Sequence, residues 1–253
     1  MRIEVICTGD EVLTGKIVNT NFSYITQKLE DFGLSVRWET TVGDDREDLL
    51  LAFRLAGERA DVVILLMDAN EAAVDQDARI ADIANEKGKA LIVVVNKWDI
   101  VPDKKKTEQY YREEITKRLP FISYAPMLFA SAKTGSHVFQ ALELAGALYE
   151  EYTSRVPTPL LNQFLEKIVD EHPAPRASGG LPVRLFYIAQ IGQKPPTFAL
   201  TSNKPADVAE DYKRFIVNRM RDAFGLRVPI RLVFKRKSKK RFVARPGPRG
   251  KKR

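Results

Sequence analysis

Two short polar segments carry the residue types that could do chemistry. Asn96-Lys97-Trp98-Asp99 directly follows the apolar run Ala90–Val95, and Ser131-Ala132-Lys133 follows Met127–Ala130. Guanine presents two hydrogen-bond donors on one edge, and a single carboxylate can accept both of them. Adenine lacks this pair of donors. Asp99 therefore predicts a site that selects guanine.

The neighbouring residues suit the same base. Asn96 can tie its loop to the other loop by hydrogen bonds, and the aliphatic stems of Lys97 and Lys133 can cover the two faces of the ring. The backbone N–H of Ala132 can donate to the guanine carbonyl oxygen. The predicted nucleotide-binding set is Asn96, Lys97, Asp99, Ser131, Ala132 and Lys133. The alternative is that each segment is only a polar turn after a strand.

Strand and helix patterns alternate through the first 150 residues and must position these loops. Strands are predicted at Ile3–Cys7, Leu34–Thr41, Val62–Met67, Ala90–Val95 and Met127–Ala130, with helices at Thr20–Phe32, Asp45–Arg59, Asp75–Lys87, Thr107–Arg118 and Val138–Tyr152. This order predicts an α/β fold, a three-layer, mostly parallel sheet of the Rossmann-like or P-loop-like kind. Ligands of such sheets bind beyond the carboxyl ends of the strands, where both polar segments lie.

The composition changes after Tyr152, where Arg155-Val156-Pro157-Thr158-Pro159 reads as a linker. An α-β-β-α-β order follows, which predicts a separate small α+β domain. The predicted organisation is a hybrid α/β domain at 1–154, an α+β domain at 155–235 and a basic disordered tail at 236–253.

A family resemblance rests on several segments spread over residues 58 to 234. They are Ala60-Asp61-Val62-Val63, Met67-Asp68-Ala69, Asp75-Gln76-Asp77, Ile80-Ala81, Asn96–Asp99, Tyr124-Ala125-Pro126-Met127, Pro195-Pro196-Thr197-Phe198 and Ala223-Phe224-Gly225-Leu226. Together they resemble the second GTPase domain and the KH-like domain of the Der (EngA) family of ribosome-assembly GTPases. The resemblance implies guanine nucleotide binding at 61–154, a KH-like domain at 155–235 and association with the large ribosomal subunit.

The phosphate-binding half of a GTPase site is missing from the sequence. The pattern G-x-x-x-x-G-K-[ST], whose backbone amides and hydroxyl hold phosphates and magnesium, does not occur. The segment Gly9–Ile17 has one residue too many between its glycines, and Ile17 replaces the hydroxyl. The Asp-x-x-Gly segment that positions magnesium and water has no counterpart in the GTPase-like part. We therefore predict no enzymatic activity, no catalytic residues and no required cofactor, with GDP or GTP as an optional ligand.

The first 60 residues carry a second resemblance. Thr8–Asn21, together with Thr41-Val42-Gly43-Asp44-Asp45, resembles the start of the CinA and molybdopterin-binding (MoaB/MoeA-like) domain family. That family continues to a Gly-Gly-x-Gly-Pro-Thr-x-x-Asp loop, but Leu65-Leu66-Met67-Asp68-Ala69 stands here. We interpret the chain as an engineered chimera with its seam near residues 57–66.

Positive charge collects toward the C-terminus, because residues 235–253 hold 11 Lys and Arg and no Asp or Glu. A KH domain grips nucleic acid with a Gly-x-x-Gly loop, and residues 155–234 contain none. RNA phosphates could still be contacted by Arg184, Lys213, Arg214, Arg219 and Arg221. The alternative is a solvated basic face. The aromatic residues Phe186, Tyr187, Phe198, Tyr212 and Phe215 are predicted to be core.

The remaining composition excludes several classes of protein. Cys7 is the only cysteine, which rules out an internal disulfide and suits a cytoplasmic location. With His137 and His172 far apart in sequence, no metal site is predicted. The longest apolar runs are too short to span a bilayer, so no membrane partner is expected.

The function that best fits these observations is weak guanine nucleotide binding without catalysis. The first alternative is an RNA-binding or ribosome-binding module acting through residues 155–253. The second alternative is a CinA-like enzyme with a small nucleotide or pterin substrate at the segment Gly9–Asn21.

Overall fold

The computed structural model describes residues 1–8, 13–14, 20–31, 33–43, 45–70, 75–101, 107–174 and 182–237. Most of the segment Gly9–Ile17, residues 175–181 and the basic residues from 238 onward lie outside the described residues. The predictions made for these segments lie outside them too.

The described elements follow the alternation that the sequence predicts. The strands are β1 (Ile3–Thr8), β2 (Val36–Val42), β3 (Val62–Asp68), β4 (Ala90–Asn96), β5 (Met127–Phe129), β6 (Leu185–Gly192), β7 (Thr197–Ser202) and β8 (Arg231–Arg236). The helices are α1 (Thr20–Asp31), α2 (Arg46–Arg59), α3 (Asp75–Glu86), α4 (Glu108–Arg118), α5 (Val138–Thr153), α6 (Thr158–Glu171) and α7 (Glu210–Phe224).

Local capping explains why the helices begin and end where they do. The Asp45 side chain accepts hydrogen bonds from the backbone N–H groups of Glu47 and Asp48 at the start of α2. Gly33 and Gly88 follow α1 and α3 with φ angles of 70° and 67°, the left-handed conformation that favours glycine. These caps end each helix in time for the chain to return to the sheet.

The strands form three sheets. β1 and β2 pair in parallel, β3, β4 and β5 form a parallel sheet in that order, and β6, β7 and β8 form the third. In the third sheet β6 is antiparallel to β7, and β8 is parallel to it. The predicted class, α/β with parallel strands followed by a small α+β part, is confirmed.

One detail differs from the predicted single sheet. In the described ranges β1 and β3 share no ladder, and side chains join the two parallel sheets instead. Arg59 of α2 pairs with Glu4 of β1 at 2.6 Å, and the backbone N–H of Arg2 donates to Asp61 at 3.0 Å. Register between strands distant in sequence depends on such contacts, which no local pattern encodes.

The core is centred on β4, whose residues Ala90 to Val95 are all buried. One apolar cluster on a face of β4 continues through Leu148 and Tyr152 of α5 into Leu161 of α6 and the third sheet. A second cluster packs α3 and α4 on the other face of β4. The sheet that bears both polar segments is thus rigidly held.

Candidate functional site

The carboxyl ends of β3, β4 and β5 are joined by backbone hydrogen bonds beyond their ladders. Ala69 N–H donates to the Asn96 carbonyl at 3.0 Å, and Ala130 N–H donates to the Val95 carbonyl at 2.9 Å. Trp98 N–H donates to the Ala130 carbonyl at 3.0 Å. Both predicted polar segments therefore start from fixed backbone at the same edge of the sheet.

The Asn96 side chain ties the two loops together. Its Oδ1 accepts a hydrogen bond from the backbone N–H of Ala132 at 2.9 Å. This confirms the contact that we predicted between the loops. In this structure the N–H of Ala132 is donated to Asn96, and its bond to a guanine carbonyl oxygen stays a prediction.

Ser131 has a structural part in the second loop. It is buried, its backbone N–H donates to the Ser136 carbonyl at 3.0 Å, and its Oγ accepts from Thr134 N–H at 3.2 Å. These bonds close a tight turn that presents Ala132 and Lys133 to solvent, where both are exposed.

Asp99 lies in a short 3-10 turn, Trp98–Ile100, and is exposed. The turn is anchored by Trp98, whose ring centroid lies 4.6 Å from that of Phe129 and 5.2 Å from that of Tyr111. An aromatic anchor of this kind fixes a short turn without using its polar groups. The Asp99 carboxylate is thus held at the edge of the sheet and open to a ligand.

Lys97 has an unusual backbone and a defined side-chain partner. Its φ angle is 61°, in the left-handed region that few side chains favour, and its Nζ lies 2.7 Å from Oδ2 of Asp68. The Asp68 Oδ1 also accepts from the backbone N–H of Asn70 at 2.9 Å. The hydrogen bonds from Lys97 and Asn70 hold the pKa of Asp68 below its ordinary value. Asp68 belongs to the family-like segment Met67-Asp68-Ala69, and its residue type and position alone predict no role for it.

In the part of the chain that the structure describes, no group of three or more His, Cys, Asp or Glu side chains could hold a metal ion. His137 uses its Nδ1 in a 2.8 Å hydrogen bond with the Phe129 carbonyl, which secures the start of α5. Likewise, no helix in the described ranges is long and apolar enough to cross a membrane.

The predicted RNA-contacting residues do not form one free basic surface. On α7, Lys213 pairs with Glu210 at 2.5 Å and Arg214 pairs with Asp211 at 2.6 Å. Arg219 pairs with Glu171 at 3.0 Å. These three cations are each opposed by a carboxylate, which weakens their field toward a polyanion.

The other two predicted contacts lie apart from these pairs. The Arg221 guanidinium stacks on the Tyr124 ring at 4.3 Å, between α7 and the segment that leads to β5. Burial of the guanidinium lowers the pKa of Arg221. Arg184 stands just before β6 and donates its backbone N–H to Asn203 at 2.8 Å.

The prediction that all five aromatic residues of the third sheet and α7 are core is wrong for two of them. Phe198 and Tyr212 are buried and Phe215 is partly buried, but Phe186 is 40% and Tyr187 is 47% exposed. The register of β6 against β7 shifts between Leu185 and Tyr187. This irregularity breaks the period-two alternation on which the prediction relied.

Family models match three parts of the chain. Residues 4–66 match the probable molybdopterin binding domain, residues 53–173 match the elongation factor Tu GTP binding domain, and residues 155–235 match the KH-domain-like C-terminal part of EngA bacterial GTPases. The resemblances on both sides of the predicted seam are therefore confirmed.

Individual relatives agree with the larger part of this assignment. The chain is 49% identical over 197 residues to GTPase Der of Myxococcus xanthus, covering 77% of this chain and 43% of the relative. It is 42% identical over 209 residues to GTPase Der of Moorella thermoacetica, covering 82% of this chain and 47% of the relative. The chain thus spans less than half the length of these relatives.

A solved structure is more remote. The chain has 19% identity and a TM-score of 0.35 to Era in complex with MgGDPNP and nucleotides 1506–1542 of 16S ribosomal RNA, covering 79% of this chain and 77% of that one. This likeness is too weak to bear on the fold.

Two predictions change with these findings. The prediction that the chain is not an enzyme is wrong, because the relatives are GTPases by name and the GTP binding domain model covers residues 53–173. An engineered origin is supported by none of the matches. The chain joins a segment similar to molybdopterin-binding domains, at residues 4–66, to a longer part similar to the GTP-binding and KH-like domains of Der GTPases.

Proposed function

We propose that the chain binds guanine nucleotides at the carboxyl edge of the β3–β5 sheet, through Asn96, Lys97, Asp99, Ser131, Ala132 and Lys133. The observation that carries the proposal is the 2.9 Å hydrogen bond from Ala132 N–H to Asn96 Oδ1. It holds the loop that bears Asp99 against the loop that bears Lys133 before any ligand arrives. Preorganised loops lose little entropy when a ligand binds.

Asp99 supplies the selectivity in this proposal. Its carboxylate accepts the two donors on the guanine edge, and hydrogen bonds to a charged group contribute about 1.5–3 kcal/mol each. Adenine offers no matching pair of donors and would leave the carboxylate without partners. Guanine is therefore preferred over adenine by the chemistry of one side chain.

The two lysines and the serine have supporting roles. Lys97 and Lys133 flank the edge, and their stems would cover the two faces of the base. The Lys97 ammonium would stay on Asp68 and the Lys133 ammonium in solvent. Ser131 and Asn96 hold the loops in place by accepting hydrogen bonds from the backbone N–H groups of Thr134 and Ala132. GDP or GTP is the optional ligand, and the guanine ring is the part that these residues recognise.

Calorimetric titration with guanosine, GDP, GTP and ATP tests the proposal. We expect heat with the three guanine ligands and none with ATP, and Asp99→Asn should weaken guanosine binding at least about tenfold. Asp82→Asn, which changes an exposed carboxylate on α3, is the matched control and should leave binding unchanged. Absence of heat with guanine ligands at millimolar concentration would contradict the proposal.

Phosphate release from GTP is measured in the same samples. Hydrolysis is the activity that the name of the relatives gives to them. Release that is lost in Asp99→Asn would assign turnover to this site. Release that is unchanged in Asp99→Asn would point to a contaminating enzyme.

Contact with ribosomal RNA through the KH-like part is a second proposed function. The observation that favours it is the exposed ring of Phe186, with the Lys237 ammonium 4.4 Å from it. Exposed rings beside cations suit stacked bases and backbone phosphates of single-stranded RNA. Arg184, just before β6, is also exposed.

Filter binding of ribosomal RNA at rising salt tests this second function. We expect binding to weaken steeply with salt and Phe186→Ala to lower it, since stacking contributes about 1–3 kcal/mol per base. Arg214→Ala is the control, because Arg214 is paired with Asp211, and it should change binding little. RNA binding that changes neither with salt concentration nor in Phe186→Ala would refute an RNA contact at this surface.

A further inference from the structure

Asp68, at the end of β3, contacts the candidate base site through Lys97. We propose that Asp68 is a positioning residue: it holds the Lys97 side chain in place to cover the guanine base. This inference rests on the proposed guanine site, and it adds a residue that neither polar segment contains.

The Asp68 carboxylate is itself fixed on both of its oxygens. Oδ1 accepts from the Asn70 backbone N–H at 2.9 Å and from the Asn70 side-chain amide at 3.2 Å. Oδ2 lies 2.7 Å from the Lys97 ammonium. Because Asn70 holds the Asp68 carboxylate in place, this carboxylate can restrict the position of the Lys97 ammonium.

The strand register brings this carboxylate to the site. Asp68 lies directly opposite Asn96 in the β3–β4 ladder, and Asn96 immediately precedes Lys97. The left-handed backbone at Lys97, with φ of 61°, turns the chain at the end of β4. Non-glycine residues in this conformation are uncommon and cluster at ligand-binding turns.

The consequence concerns side-chain entropy. A lysine stem samples many rotamers when its ammonium has no fixed partner, and ordering it on a base costs affinity. The Lys97 side chain is 56% exposed, so packing alone leaves it room to move. Anchoring its ammonium to Asp68 restricts the stem before the base binds.

A double-mutant cycle on guanosine affinity tests the inference. Exposed ion pairs have small effects, so Asp68→Asn should weaken guanosine binding about two- to fivefold. Lys97→Met keeps the stem and removes the ammonium. In the Lys97→Met background Asp68→Asn should cause no further loss, because Asp68 acts only through the ammonium. Asp68→Glu, which keeps the charge, should retain most of the affinity.

A second readout needs no ligand. The ε-methylene signals of Lys97, followed by NMR in the free protein, should become more mobile in Asp68→Asn while the melting temperature is unchanged. A merely structural role for Asp68 would lower the melting temperature and leave the cycle additive.

The outcomes separate the two claims. If the wild-type chain binds guanosine, and Asp68→Asn leaves both the affinity and the mobility of Lys97 unchanged, the positioning role is refuted and the guanine site stands. An equal loss from Asp68→Asn in the wild-type and Lys97→Met backgrounds also refutes it. If the wild-type chain binds no guanosine, the guanine site and the positioning role both fail.

Discussion

The charged side chains at the two ends of the β3–β5 sheet have different surroundings. At the amino end, Asp61 is buried with its side chain 3% exposed, and it receives Arg2 from the N-terminal segment and Lys194 from the KH-like part. At the carboxyl end, Asp99 and Lys133 are exposed and the loops are held by Asn96. The buried Asp61 at the amino end binds cations of the chain itself, whereas Asp99 and Lys133 at the carboxyl end face solvent.

The amino end also shows close packing between the α/β and KH-like parts. The backbone N–H of Lys194 donates to the carbonyl of Tyr152 at 3.3 Å, and the Tyr152 hydroxyl, at the end of α5, donates to the Gly88 carbonyl at 2.7 Å. A Cβ on Gly88 would lie 2.9 Å from Pro195 of the β6–β7 connection, so the two parts meet without spare room there. Changes at this end should alter stability, and changes at the other end should alter binding.

The largest expected effect is at the packed end. Tyr152→Ala should lower the free energy of unfolding by about 3–5 kcal/mol, because it removes a buried ring and leaves the Gly88 carbonyl unpaired. Urea denaturation measures this loss, and Tyr152→Phe is the control that removes only the hydroxyl. If Tyr152→Ala weakens guanosine binding without lowering stability, the amino end of the sheet does not differ from the carboxyl end in the way proposed.

The next effect is at the open end. Asn96→Ala should weaken guanosine binding about tenfold, since untying the two loops costs about 1–1.5 kcal/mol for the lost hydrogen bond. Calorimetry gives the affinity, and thermal melting should show a much smaller change. A large loss of stability with unchanged affinity would show that Asn96 serves the fold and not the ligand.

Asp61→Asn should cost about 1 kcal/mol of stability near neutral pH, because its partners Arg2 and Lys194 are partly exposed. Burial raises the pKa of Asp61, but hydrogen bonds from Arg2 and the charges of Lys194 and Arg2 outweigh it and hold the pKa below its ordinary value. Since the folded-state pKa is the lower one, this stability is present above about pH 3.9 and is lost as the pH falls through the folded-state pKa.

Unfolding curves for wild-type and Asp61→Asn proteins from pH 7 to pH 3 measure this dependence. The difference in the free energy of unfolding between wild-type and Asp61→Asn proteins should be constant near neutral pH and should become smaller in acid. A difference that becomes larger in acid would contradict the lowered pKa of Asp61.

The smallest effect is expected at Lys133. Lys133→Ala should weaken guanosine binding about two- to fivefold, because it removes only a stem that covers one face of the base. Lys133→Met, which keeps the stem, should retain most of the affinity, and calorimetry distinguishes the two variants. Equal losses in both would mean that the ammonium matters more than the stem.

The parts of the structure that sequence predicted are those set by local chemistry. Asp45 marks the start of α2, and Gly33 and Gly88 mark the ends of α1 and α3. Such capping residues act within one helical turn, so the local sequence is enough to predict them. Both polar segments fell at the same sheet edge, because parallel strands align their carboxyl ends.

Long-range details could not be predicted in the same way. The hydrogen bond from Ala132 N–H to Asn96 joins residues 36 positions apart, so no local pattern shows which acceptor this N–H takes. Asp68 acquired its partner through the β3–β4 register. Phe186 became exposed where a register shift interrupts β6.

The central claim, that Asp99 reads guanine at this edge, is tested most directly by exchanging the base and the side chain together. Xanthine carries a carbonyl where guanine carries its amino group, so the amide introduced by Asp99→Asn matches it better. Calorimetry with guanosine and xanthosine should show that wild-type protein prefers guanosine and that Asp99→Asn reverses the preference by at least about tenfold. Retained preference for guanosine in Asp99→Asn would contradict the claim.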